Sequence, residues 1–298
     1  MEKFVMPEDP GQPAVFLNYT QKQLDWQYEH AQRFPDTSIF QKDRLERSEE
    51  ARRKFEGILD VSYGPTLDEK LDIFPAKQSG APIAIFIHGG AWQRGSKENS
   101  SFGADAFVPR GVSWIATHFT NCPPATLDEM VRQNRAAIAW VYRNAKEVFG
   151  GDPEQIHVLG HSSGGHLSGM MAVTDWEGQY GLPADLIKGS VCMSGMYDLE
   201  AVYLSYRNRY VNLTQESYKR LSAIHHIPSG YAPRLIAGCG EFDTEEFHRQ
   251  PETFLEAWRK AGHEGQFIEL EGRHHFSVNN AYCEPGPLLD AIFDQMGV

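Results

Sequence analysis

The sequence predicts an α/β fold: a mostly parallel central sheet flanked by helices, with a helical cap segment added at the N-terminus. Three observations carry this. From about Leu59 onward, short apolar runs alternate with helix-length amphipathic stretches, which calls for crossover connections and hence a parallel sheet. The run APIAIFIHGG is nearly all apolar, without alternation, as a strand covered on both faces is. The length of 298 residues is enough to bury a core without a metal or a disulfide as staple.

The elements follow in order. Residues 1–58 form an N-terminal helical segment, and residues 59–298 the catalytic domain. After a start rich in Pro and Gly, Thr20 is placed as an N-cap, and Leu24, Tyr28 and Ala31 recur at helical spacing. A second, charged helix is expected from about Lys42 to Phe55. Neither helix has enough apolar surface to form a core alone. Both are therefore expected to pack on the main domain and to cap the mouth of its site. LDVSYG and KLDIFPA then read as a hairpin, and APIAIFIHGG and GVSWIATHF as further strands. LDEMVRQNRAAIAWVYRNAKEVFG is a long amphipathic helix, with Met130, Ala137, Val141, Ala145 and Val148 in phase and Gly150 closing it. IHVLGHSSGGHLSGMMAV reads strand, sharp turn, helix. LIKGSVCMSG, PRLIAGCGE and GQFIELEG supply the remaining strands, with FHRQPETFLEAWRKAG and GPLLDAIFDQMG as helices between and after them. Tyr197 to Ser229 has no clear period and is expected to be a helical excursion above the sheet.

Composition narrows the function. Apolar residues make up 41% and charged residues 23% of the chain, an ordinary mix for a soluble globular protein. A formal net charge of -12 repels phosphate backbones and anionic lipids, so neither nucleic acid nor a membrane is an expected partner. The expected partner is a small-molecule substrate, and a homodimer is left open. Cys122, Cys192, Cys239 and Cys283 form no C-x-x-C pair, so zinc-site spacing is absent. Cys192 and Cys239 sit in apolar runs and are expected to pack as small hydrophobes. The opening MEKFVMPEDPGQP lacks the apolar core of a signal peptide, and the apolar runs are strand-sized. The expected location is cytoplasmic.

Chemistry concentrates in four loops. Gly160-His161-Ser162-Ser163-Gly164 matches G-x-S-x-G between an apolar strand and a helix-compatible segment. That context presents Ser162 as a nucleophile at the carboxyl end of a sheet, with the helix N-terminus behind it favouring negative charge. His161 and His166 stand too close in sequence to turn onto Ser162 and are expected to pack or hydrogen bond. After the buried strand comes His88-Gly89-Gly90-Ala91-Trp92, the position of an HGG-type oxyanion site. The amides of Gly90, Ala91 and Ser163 are the expected donors, with Gly89 shaping the turn. Trp92 is a candidate for substrate binding, with core cover as the alternative. Together these motifs predict the α/β-hydrolase fold.

That fold orders its triad Ser, acid, His. The acid falls after PRLIAGCG, where Asp243 is favoured over Glu241. Asp198, after the preceding strand, is expected instead to brace the excursion. The base falls after the last strand, at His274 or His275, and the choice of His275 rests partly on the resemblance below. No helical His-x-x-x-His pair with a nearby carboxylate occurs, so no metal and no cofactor are expected.

The motifs HGGAWQ, GHSSGGHL, SGMYDL, GEFDTEEFHRQ and the final HHF, together with LDWQYEHAQRFPD near the start, resemble the kynurenine formamidase (arylformamidase) branch of the α/β-hydrolases, related to the hormone-sensitive-lipase-like esterases. The resemblance implies a triad of Ser162, Asp243 and His275 and a small acyl, formyl-type amide or ester of an aromatic compound as substrate. A carboxylesterase or amidase for other small aryl or acyl groups is the alternative, and a hydrolase-fold binding protein without turnover the remote one. The chain departs from many relatives at His118-Phe119-Thr120-Asn121-Cys122-Pro123, a loop expected to reach the pocket.

Overall fold

The computed structural model describes residues 5–30 and 37–298. Eight strands make one sheet in the order β1-β2-β4-β3-β5-β6-β7-β8. They are β1 (Ile58–Ser62), β2 (Lys70–Phe74), β3 (Ala81–Ile87), β4 (Ser113–His118), β5 (Gly151–His161), β6 (Ile187–Met193), β7 (Arg234–Gly240) and β8 (Gly265–Leu270). The β1–β2 hairpin and the β2–β4 pair are antiparallel. Every pairing from β4 to β8 is parallel. The sequence grouped these strands correctly because their apolar runs reflect cover on both faces. Ile83, Ile85, Val158, Val191 and Ile236 are all buried.

Local signals set the main helices. Thr20 caps α1 (Gln21–Tyr28), accepting from the Gln23 amide, while the Gln23 side chain accepts from the Thr20 amide. Leu24 and Tyr28 are buried; covering a leucine contributes roughly 1.5–3 kcal/mol. Ala31, the third residue of that expected stripe, lies outside the described residues, as does the Ala31–Asp36 part of the N-terminal motif. The next helix, α2, spans Ser38–Lys54 and so begins before Lys42, where the charge pattern placed its start. Tertiary packing accounts for the extra turn, since the Phe40 ring meets His274 edge-on at 4.7 Å. In α3 (Leu127–Phe149), Thr126 caps the start through the Glu129 amide, and Gly150, left-handed with φ 72°, ends it. Next come α4 (Ser163–Ala172), α5 (Glu245–Lys260) and α6 (Pro287–Met296). Among the described residues, no helix is long and apolar enough to cross a membrane.

The Tyr197–Ser229 stretch contains short helices at Glu200–Leu204, Asn208–Val211 and Gln215–Arg220. Helix α1 docks between this excursion and the start of α5. The Tyr206 amide donates to Asp25 Oδ1 at 2.6 Å, and the Arg207 guanidinium to the Tyr28 carbonyl at 3.0 Å. On the other side, Thr244 Oγ1 donates to the Gln27 carbonyl at 2.9 Å. These bonds fix the end of α1 beside the carboxyl ends of β5 and β7.

Candidate active site

Ser162 stands between β5 and α4 with φ 58° and ψ -124°. A non-glycine residue held there stores strain on the order of 1–3 kcal/mol. The turn survives because its neighbours lock it. The Ser162 amide donates to the Met193 carbonyl at 2.9 Å, and its carbonyl accepts from the His166 amide at 3.1 Å. A Cβ at Gly160 would collide with the Gly164 carbonyl, and one at Gly164 with the Ile87 carbonyl. The two glycines of the motif are therefore required by close backbone approach.

From the serine hydroxyl a hydrogen-bonded chain runs through two loops. Ser162 Oγ lies 2.9 Å from His275 Nε2, and His275 Nδ1 lies 2.8 Å from Asp243 Oδ1. Asp243 also accepts from Ser194 Oγ at 2.7 Å and from the Gly240 amide at 2.9 Å. Burial pushes its carboxyl up, but the adjacent His275 charge and these three hydrogen bonds outweigh it and hold the pKa at about 2. Asp243 thus remains a carboxylate. The imidazole of His275 is further fixed by rings on several sides. The His30 ring stacks on it at 3.8 Å and 2°, and Phe247 meets it edge-on at 4.7 Å.

The alternatives weighed in the sequence fall elsewhere. Glu241 accepts from the Gly272 amide. Asp198 accepts from the Glu200 amide, and its backbone is held by Gln250, so it braces the excursion. His274 turns toward Phe40, with its Nδ1 accepting from the Phe276 amide at 3.2 Å. His166 accepts from Trp92 Nε1 at 3.3 Å and meets the Leu221 carbonyl at 2.8 Å. Burial pushes its pKa down to about 4. His161 is buried 4.8 Å from the His275 ring, and burial first, then the His275 charge, holds it well below the usual histidine range.

Gly89, Gly90 and Ala91 line the same cavity as Ser162. The loop approaches the elbow so closely that a Cβ at Gly89 would stand 2.5 Å from the His161 carbonyl. Gly90, Ala91 and Trp92 all have positive φ, at 122°, 55° and 60°. No carbonyl of this loop accepts from the Gly90 or Ala91 amide. Ser163 opens α4, so its amide is one of the four that an α-helix leaves without an intrahelical acceptor. Its hydroxyl accepts from the Trp92 amide at 3.1 Å, tying the loop to the helix.

Two expectations are corrected here. Trp92 does not face the cavity. The left-handed backbone at Ala91 and Trp92 turns its ring into the core, where it is 1% exposed and donates to His166. The loop from His118 to Pro123 does not line the cavity either. It buttresses the loop from His88 to Trp92, with Phe119 stacked on His88 at 4.2 Å and the Cys122 amide donating to the Trp92 carbonyl.

The cavity has a volume of about 460 Å³, within the range of small-molecule sites. Its aromatic walls include Tyr28, Tyr206, Tyr210 and Phe276. Sequence reasoning missed Ser194, His30 and the excursion residues. Ser194 was inside a quoted motif, SGMYDL, but its bond to Asp243 depends on a backbone turn with φ 46° that composition does not signal. Among the described residues, two groups gather three metal-ligating atoms within 4.8 Å of one another. His30, Asp243 and His275 belong to the chain described above. In the other, Cys239 Sγ lies 3.2 Å from His248 Nδ1, which is 3.5 Å from Glu269.

The family model BD-FAE matches residues 71–244. Kynurenine formamidase of Danio rerio is 31% identical over 260 residues, covering 84% of this chain and 85% of that protein. Esterase LipQ of Mycobacterium tuberculosis is 27% identical, covering 80% of this chain and 62% of that protein. The crystal structure of esterase B from Lactobacillus rhamnosis superposes with a TM-score of 0.68 over 88% of this chain and 92% of its own, at 12% identity.

Proposed function

The chain belongs to the kynurenine formamidase branch of the α/β-hydrolases and carries a BD-FAE domain, and from that premise we propose that it is a serine hydrolase that cleaves a formyl-type amide or ester of an aromatic compound through an acyl-enzyme on Ser162. The observation that carries the reading is the Ser162–His275–Asp243 chain, with bonds of 2.9 and 2.8 Å, opening into a cavity with aromatic walls.

His275 Nε2 takes the Ser162 proton as Oγ attacks the acyl carbon. Asp243, held ionised, keeps the imidazole in the tautomer with Nδ1 protonated and stabilises the imidazolium. The oxyanion is met by the amides of Gly90, Ala91 and Ser163, where loss of one donor typically costs about a hundred- to a thousand-fold in turnover. His275 then donates its proton to the leaving nitrogen or oxygen, the bond to the acyl carbon breaks, and the ester on Ser162 remains. Water gives a proton to His275 as its oxygen attacks the acyl carbon, the bond from that carbon to Ser162 Oγ breaks, and His275 returns the proton to Oγ as the acid leaves. Nothing in this cycle requires a cofactor.

The likeness to esterase LipQ favours a second reading with the same chemistry, a carboxylesterase for other small aryl or acyl groups. The two differ in acyl size. An aryl formamide is expected to show a higher kcat/KM than the matching aryl acetate and butyrate. Clear turnover of the acetyl and butyryl esters with negligible formamide cleavage would overturn the formamidase reading.

A further inference from the structure

A second group of ligating side chains lies away from the cavity around Ser162. Cys239 on β7 and Glu269 on β8 are paired in register, so their side chains leave the sheet on the same face. Helix α5 packs across both strands and brings His248 onto that face. Cys239 Sγ, a ring nitrogen of His248 and a carboxylate oxygen of Glu269 all lie within 4.8 Å of one another. None of the three residues lines the cavity. Cys239 is buried, whereas the side chains of His248 and Glu269 are 23% and 48% exposed, which gives solvent a path to the centre.

Hydrogen bonding does not account for this convergence. Sγ and Glu269 Oε2 approach the same ring atom, Nδ1, at 3.2 and 3.5 Å. One nitrogen carries at most one proton, and the longer separation is beyond a good N–H···O bond. The spacing suits an ion instead. A tetrahedral centre with Zn–S of about 2.3 Å, and Zn–N and Zn–O of about 2.1 Å, puts S and N about 3.6 Å apart and N and O about 3.4 Å apart. The separations of 3.2 and 3.5 Å stand within about 0.4 Å of those values. Charge points the same way. Burial, then the charges of Asp243, Glu269 and Glu252, push the Cys239 thiol up. The sulfur therefore stands in a negative field, which a bound cation offsets. Glu252 supplies part of that field from one turn beyond His248 on α5.

We propose that Cys239, His248 and Glu269 hold a divalent cation of the zinc class, which clamps β8 and α5 to β7 directly behind the Asp243 loop. On binding, Cys239 releases its proton to water. Its thiolate, the Nδ1 lone pair of neutral His248 and a Glu269 oxygen then bond the ion, with water in the fourth position. A thiolate and an imidazole select zinc over calcium or magnesium, which require oxygen donors. The clamp acts one residue from the acid's support, because the Gly240 amide donates to Asp243 Oδ2 at 2.9 Å. The ion takes no part in the attack by Ser162, and the site does not depend on which substrate is cleaved. Its ligands come from two strands and a helix, so no short spacing in the sequence marks it.

The test is zinc titration of the untagged chain by calorimetry, with Co2+ as a spectroscopic stand-in whose bond to a thiolate gives a charge-transfer band in the near ultraviolet. The wild type is expected to take up zinc at micromolar protein concentration and to show the band with Co2+. Cys239→Ser is expected to abolish the band and to weaken zinc binding by about a hundredfold or more, and Glu269→Gln to weaken it by about tenfold. Zinc at about a hundred times its Kd is expected to raise the melting midpoint of the wild type by a few degrees, and that of Cys239→Ser far less. No uptake of zinc by the wild type overturns the proposal. So does zinc that binds Cys239→Ser with unchanged affinity, as it would if held by His30, Asp243 and His275. An equal rise in both melting midpoints overturns the clamp. Should Cys239→Ser not fold, Glu269→Gln decides the matter, since it changes a half-exposed side chain. Unchanged zinc affinity in that variant overturns the site.

Discussion

Replacing Ser162 by alanine is expected to lower turnover on the order of a million-fold, while the variant remains folded. The hydroxyl is the only atom removed, and its partner is His275 Nε2 at 2.9 Å. Alanine meets the same backbone demand as serine at φ 58°, so the elbow keeps its bonds to Met193 and His166. Residual rate then comes from the oxyanion donors and binding, which in a comparable triad leave roughly 10³–10⁴-fold over water. Steady-state kinetics beside a thermal melt would check this. A folded variant that retains even a few per cent of wild-type turnover would remove Ser162 from the chemistry.

Substitution of His275 by alanine is expected to be equally severe, because neither proton transfer nor the link to Asp243 survives it. The double variant with Ser162→Ala should lose little more than either single one, since residues that act as a unit are not additive. His274→Ala supplies the contrast. Its ring packs on Phe40 and accepts from the Phe276 amide, so its removal loosens the loop and is expected to cost at most about a hundredfold, the scale of a misplacement away from the chemistry. If His274→Ala proved the severe variant and His275→Ala the mild one, the assignment of the base would be wrong.

The sequence made the sheet legible because five of its strands read as apolar runs covered on both faces. It also made the loops at the carboxyl ends of those strands legible as the places for Ser162, Asp243 and His275. Those loops are short, and their motifs reflect backbone constraints, such as the collision that any side chain at Gly164 would cause. The helix from Lys42 was placed too late because its first turn is carried by a tertiary contact of Phe40 rather than by its own pattern. Trp92 was misplaced for a similar reason. An aromatic residue beside an oxyanion loop reads equally well as wall or core, and two left-handed backbone positions send it inward. The side of the cavity formed by the excursion was the least legible. Arg207, Tyr206 and Tyr210 lie in a stretch without period, and they reach the cavity through bonds to α1, such as that from the Tyr206 amide to Asp25.

The most direct test of a covalent route through Ser162 is the site of modification by a fluorophosphonate, read by intact mass and peptide mapping on the wild-type protein. The expected result is a single adduct on the peptide containing Ser162, absent from Ser162→Ala. No adduct on the folded wild type, or an adduct on any other residue, would contradict the account.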